Sequence, residues 1–176
     1  MDVLVSTINA ALTSEAAAVS ANKLLVSTQA ALAELKPPQI QSYKNDLLKS
    51  LLQHATFDTL KDVDGALIFE SAHPFGNNLD ELTSIKVPGA QSLYVAFDPR
   101  TSMEQSHDWV QLLKSDKKSC WGEEKYSGTN PLNYPGVPGG SKPILRINAE
   151  EFFVKFHTDY SGTGYGWRLV CVEVYV

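Results

Sequence analysis

The sequence predicts an α+β protein: an N-terminal α-helical hairpin over residues 1–60, followed by an antiparallel β-sandwich over residues 61–176. Three observations predict it. Composition changes near residue 60, with all eleven glycines, and every tyrosine but Tyr43, lying beyond that point. Before it, apolar residues recur at helical intervals. After it, short apolar or alternating runs are separated by turn residues at regular spacing, which is how an all-β sandwich reads.

The helical part divides at Pro37-Pro38, because proline cannot continue the backbone hydrogen-bond ladder. Ahead of it, Val5, Ile8, Leu12, Val19 and Leu32 fall at near-helical intervals in an Ala-rich background. Behind it, Ile40, Tyr43, Leu47, Leu51 and Ala55 form a stripe that Leu48 and Leu52 widen. Two such helices with a short proline turn make an αα-hairpin. Its stripes have two readings: packing on each other and on the sandwich, or a docking face for another protein chain.

In the second part the pattern predicts strands over 66–71, 84–87, 92–98, 109–113, 144–147, 152–157 and 166–176. Leu93, Val95 and Phe97 alternate, as do Phe152, Val154 and Phe156, and each set makes one buried face. Residues 115–141 read as a long loop with one short strand near Lys125 and Tyr126.

Charge and targeting signals narrow the function classes. The formal net charge is −5, and Lys117-Lys118 is the only adjacent basic pair, so nucleic acid is not an expected partner. No apolar run approaches the ~18 residues a membrane helix needs. Asp2 stands where a signal peptide carries positive charge. Together with only two cysteines, Cys120 and Cys171, this predicts free thiols and a cytoplasmic location. The chain ends at Val176 inside an expected strand, as an excised domain or a docked natural terminus would.

No nucleophile elbow, phosphate-loop or zinc-finger spacing is present, so an enzyme is not expected. Asp98, Glu104, Asp108 and Asp159 all fall at strand ends or turns, where hard carboxylate oxygens suit calcium. The plainer reading is that each caps a turn, as aspartate readily does. A zinc site from His107, His157 and Asp159 is the weaker alternative. Trp109 and Trp167 are expected in the core or beside it, and Trp121 in the long loop is the best exposed aromatic. A lectin-like module, with Trp121 and Tyr126 exposed beside a calcium site, is the alternative to a protein-interaction module.

A resemblance sharpens this. The run from Glu70 through His73-Pro74-Phe75-Gly76-Asn77-Asn78, then Val87-Pro88-Gly89-Ala90, Leu93 to Asp98, Glu104 and Asp108, forms one half of a pattern. Phe156-His157-Thr158-Asp159-Tyr160-Ser161, closed by Tyr165-Gly166-Trp167-Arg168-Leu169, forms the other. Together they resemble the cysteine-poor, CUB-like β-sandwiches, jelly-roll-like in form, of very large intracellular proteins. Those include ZZ-finger/EF-hand proteins and giant ubiquitin ligases of the HECT type. The resemblance spans roughly Phe69 to Val174 and leaves the hairpin outside. It implies a non-catalytic interaction or scaffolding module, associated with ubiquitin ligation. It also implies calcium as the one cofactor, held by Glu104, Asp108 and Asp159. The sequence departs from secreted CUB domains in lacking their paired cysteines, in a shorter interval between Glu104 and Asp108, and in having Thr158 where serine is usual.

Overall fold

The computed structural model describes residues 50–52 and 54–173. Most of the expected hairpin over residues 1–60 therefore lies outside the described residues. Within them, residues 50–52 are helical and a short helix, α1 (Phe57–Leu60), follows. Thr56 and Thr59 cap α1 reciprocally, the Thr56 N–H donating to Thr59 Oγ1 at 2.7 Å.

Seven antiparallel strands follow: β1 (Leu67–Glu70), β2 (Asp80–Lys86), β3 (Leu93–Phe97), β4 (Trp109–Leu113), β5 (Leu145–Ile147), β6 (Glu151–His157) and β7 (Arg168–Glu173). They form two sheets. Sheet one has the order β1-β7-β3-β5 and sheet two the order β2-β6-β4. The expected β-sandwich is thus present, and six of its strands fall close to the predicted ranges.

β2 differs: it begins at Asp80 rather than Ser84. Only Ile85 of its seven residues is buried, so this edge strand shows no apolar alternation to read. The short strand expected near Lys125 is a single bridge between Val110 and Tyr126.

The inter-sheet core is built from alternate residues. Leu93, Val95 and Phe97 of β3 and Leu169 and Cys171 of β7 meet Phe152, Val154 and Phe156 of β6 and Val110 and Leu112 of β4. Phe75 meets Phe156 edge-on at 5.3 Å between ring centroids. Trp167 lies in this core, as expected.

Sheet one also buries its other side. Tyr94 and Ala96 of β3, with Val170 and Val172 of β7, pack against Leu51, Leu52, Ala55, Phe57, Leu60 and Val63. All five residues of β3 are therefore buried, which is why its run is apolar throughout. Gly136 sits against this strand: a Cβ there would collide with Ala96, and its φ of 72° is one that glycine adopts without strain. No described helix is long and apolar enough to cross a membrane.

The loop end and its carboxylates

Strand register builds the candidate site. Trp109, the first residue of β4, stands opposite His157, the last of β6. Asp108 precedes the first and Asp159 lies two residues past the second, so pairing the strands brings the two loops together at one end of the sandwich.

Asp108 is fully buried and acts as the hub. Its Oδ1 accepts from the Asp159 N–H at 2.9 Å, and its Oδ2 from the Glu104 N–H at 3.4 Å. The Asp108 N–H in turn donates to the Glu104 carbonyl at 3.1 Å. The Ser127 hydroxyl lies 2.6 Å from the Asp108 carbonyl oxygen and 3.1 Å from that of Glu104.

A second layer of bonds ties in the 76–79 segment. Thr158 Oγ1 donates to the Gly76 carbonyl and accepts from the Leu79 N–H, both at 2.9 Å. The Asn78 N–H donates to the Asp159 carbonyl at 2.6 Å. Thr158 thus supplies the hydroxyl that a serine would supply here.

Each expected ligand has a defined place. Asp159 Oδ1 accepts from the Ser161 N–H at 2.9 Å, and its Oδ2 lies 3.5 Å from His107 Nδ1. Glu104 Oε2 is buried and has no hydrogen-bond partner. Gly162 makes room for it: a Cβ there would collide with that oxygen, and φ is 75°. The donor chemistry, two loops contributing carboxylates and one buried oxygen without a partner, fits calcium. As they stand, however, no group of three His, Cys, Asp or Glu side chains among the described residues is close enough together to hold a metal ion. The zinc reading through His107, His157 and Asp159 fails on the same ground; His157 instead stacks on Trp109 at 5.0 Å and lies 3.6 Å from Asp80.

Three other sequence candidates are placed elsewhere. Asp98 is buried and commits its carboxylate to Arg100 at 2.6 Å and Arg168 at 3.3 Å. Tyr126, whose exposure would have favoured the lectin-like alternative, is 2% exposed, and its hydroxyl accepts from the Glu123 N–H. Trp121 is half-buried against the inter-sheet core, with its indole N–H shut away from any partner. Both rings serve the core, so the exposed aromatic pair of the lectin-like alternative is not formed. Sequence reasoning missed Ser127, the hydroxyl that joins the Glu104 and Asp108 carbonyls; it lies in the long loop, where no periodicity marks it.

Two antiparallel sheets, with Asp108 and Asp159 brought together where β4 begins and β6 ends, make this a β-sandwich consistent with a CUB-like domain. A particular similarity extends over 108 residues of the chain. E3 ubiquitin-protein ligase HERC2 of Homo sapiens is 29% identical over 108 residues, and that of Mus musculus matches equally. The match covers 61% of this chain but only 2% of those relatives, so it is to a small piece of a very large protein. No protein-family model matches the chain. Similar solved structures include the CUB1-EGF-CUB2 domain of human MASP-1/3, with 14% identity, a TM-score of 0.48, and 63% of this chain and 42% of that one covered. The full extracellular region of zebrafish Gpr126/Adgrg6 has 17% identity and a TM-score of 0.48, over 64% of this chain and 14% of that one. The MASP-1 CUB2 domain bound to Ca2+ has 18% identity and a TM-score of 0.41, over 60% of this chain and 90% of that one.

Proposed function

We propose that this chain is a non-catalytic protein-interaction module of a larger intracellular protein or assembly. In this reading it is a CUB-like sandwich preceded by an α-helical hairpin, serves as a scaffold in ubiquitin ligation, and is closed by calcium at its loop end. The observation that carries the reading is the construction of that end. Buried Asp108 holds the 104–108 loop to the 158–162 loop through backbone N–H groups. Beside them Tyr160 stands 78% exposed. Loops held rigid around an exposed aromatic residue form a preorganised contact surface, which lowers the ordering cost of binding. The ligase similarity supports the setting, and Glu104, Asp108 and Asp159 are the residues that would hold the ion. What calcium would supply is neutralisation of clustered carboxylates and a bond between two loops distant in sequence.

Two measurements test this. Calcium binding to the native state alone stabilises it by about 2.7 kcal/mol at a hundredfold excess over Kd. Calcium should therefore raise the melting temperature, and Asp159→Ala should abolish the rise; identical curves in calcium and in chelator remove the ion from the reading. For the interaction, the immobilised chain is used to capture partners that are then identified by mass spectrometry. A partner whose capture is lost in Tyr160→Ser and Asp159→Ala, with circular dichroism unchanged, supports the module. Capture indifferent to both substitutions refutes the loop end as its surface.

A further inference from the structure

The two outer faces of the sandwich are treated differently. That of sheet one is covered over β3 and β7 by Leu51, Leu52, Ala55, Phe57, Leu60 and Val63, and only Ile68 of edge strand β1 stays 41% exposed there. That of sheet two carries apolar side chains with no such cover among the described residues. Register places Trp109, Gln111 and Leu113 of β4, His157, Lys155 and Phe153 of β6, and Asp80, Leu82 and Ser84 of β2 on one side of the sheet. Trp109 and Phe153 are half-buried and Leu82 is 48% exposed.

Beside the His157 ring stacked on Trp109, ammonium groups lie over both the Trp109 and the Phe153 rings. Lys125 Nζ sits 4.4 Å and Lys155 Nζ 5.6 Å from the Trp109 ring centre, and Lys117 Nζ 4.8 Å from that of Phe153. Lys155 has Asp80 at 3.7 Å. Lys117 and Lys125 have no carboxylate partner among the described residues. On a chain of net charge −5, Lys117, Lys125 and Lys155 here outnumber the carboxylates of Asp80 and Glu151 on the same side of the sheet. Flexible lysines lie over the rings, and the cation–π attraction of such exposed pairs is only about 0.5–1 kcal/mol each. An arriving carboxylate can draw the ammonium groups aside and uncover the rings.

We infer that the outer face of sheet two is a docking surface for an acidic protein segment, one in which an aromatic or large apolar side chain is flanked by Asp or Glu. The apolar chain seats on Trp109, Phe153 and Leu82, and the carboxylates meet Lys117, Lys125 and Lys155. Charge complementarity selects this occupant: a basic segment is repelled, and a purely apolar one leaves the lysines desolvated and unpaired. The inference rests on the reading of the chain as an interaction module, but it names a face distinct from the loop end.

The test uses the full chain and a glutamate–tyrosine random copolymer as probe, with poly-L-glutamate and single-stranded DNA as comparators. Amide shifts in a two-dimensional NMR titration should map to β4 and β6 around Trp109 and Phe153. Affinity should fall with salt, since exposed charges are screened beyond about 10 Å at 0.1 M. The double substitution Lys117→Glu with Lys125→Glu should weaken the copolymer about tenfold or more, and poly-L-glutamate should bind more weakly than the copolymer. Equal or tighter binding of DNA marks a generic polyanion surface and overturns the inference, as does unchanged affinity in the double variant. If a captured partner is lost in Tyr160→Ser yet kept in the double variant, the module reading stands and this face is not its surface.

Discussion

Asp98 and Asp108 are both buried aspartates, yet they are satisfied by different means and should fail differently. Asp98 accepts from the Arg100 backbone N–H at 2.8 Å and from its Nε at 2.9 Å, and pairs with Arg168 as well. Burial on its own would raise the Asp98 carboxyl, but the hydrogen bonds from Arg100 and the charges of Arg100 and Arg168 outweigh it and hold it below the ordinary value. A depressed carboxyl contributes stability that is present above its unfolded pKa, about 3.9, and is lost as pH falls below that through the folded value. Asp98→Asn should therefore flatten the acid limb of the stability curve below about pH 4. At neutral pH it should cost about 1.5 kcal/mol in urea unfolding, the low end for charged hydrogen bonds, since Arg100 is largely exposed. An unchanged acid limb would show that the pair does not set it. Asp108 instead accepts from two backbone N–H groups and pairs with no cation among the described residues. Asp108→Asn puts a donor against one of them, so it should cost about 1–3 kcal/mol even in chelator, whereas a wild-type urea midpoint would deny the hub.

Among the elements, the piece that most changes the sequence-based picture is the segment covering sheet one. Leu93, Val95 and Phe97 were legible as one buried face because alternation marks a strand with a wet side. Tyr94 and Ala96 were not, because a run buried on both sides has no alternation, and only the covering residues reveal why Ala96 must be small. The loop-end carboxylates were legible from turn chemistry and resemblance, and the resemblance left Asp98 out of their set, but its pairing with Arg168, seventy residues on, had no local signal. Trp121 misled because a loop without periodicity does not announce that its aromatics, Tyr126 among them, turn inward. The covering segment gives its own prediction. A fragment starting at Lys61 keeps every strand but loses Leu51, Leu52, Phe57 and Leu60, each contributing about 1.5–3 kcal/mol by burial. The loss rivals the whole stability of a typical domain, about 5–15 kcal/mol. The fragment should therefore aggregate or stay unfolded in size-exclusion chromatography, while one starting at Ser50 folds. A monomeric, cooperatively melting Lys61 fragment would place the boundary of the sandwich at residue 61 and make the cover dispensable.

At the scale of the whole molecule, the two sheets are held by their shared core and no disulfide joins them: both cysteines are free. Their environments differ enough to report on different motions. Cys171 faces the inter-sheet core at 1% exposure, and burial pushes its thiol up to about 12. Cys120 is half-buried beside the β4 turn, raised by burial first and then by the charges of Glu124 and Asp116. Only the thiolate reacts with an alkylating reagent. In native buffer Cys120 should label first. Cys171 should label only as fast as the sandwich opens, so its rate measures global unfolding. A thiol pKa raised by folding gives stability that is complete below the unfolded value, about 8.5, and is lost as pH climbs from there toward about 12. Cys171 labelling should therefore quicken with pH faster than thiolate formation alone requires, and Cys171→Ala, whatever its cost in packing, should remove that part of the alkaline destabilisation. Mass spectrometry of each labelled peptide follows the two sites separately. Equal native rates at Cys120 and Cys171 would mean that the core between the sheets opens locally, without the molecule unfolding.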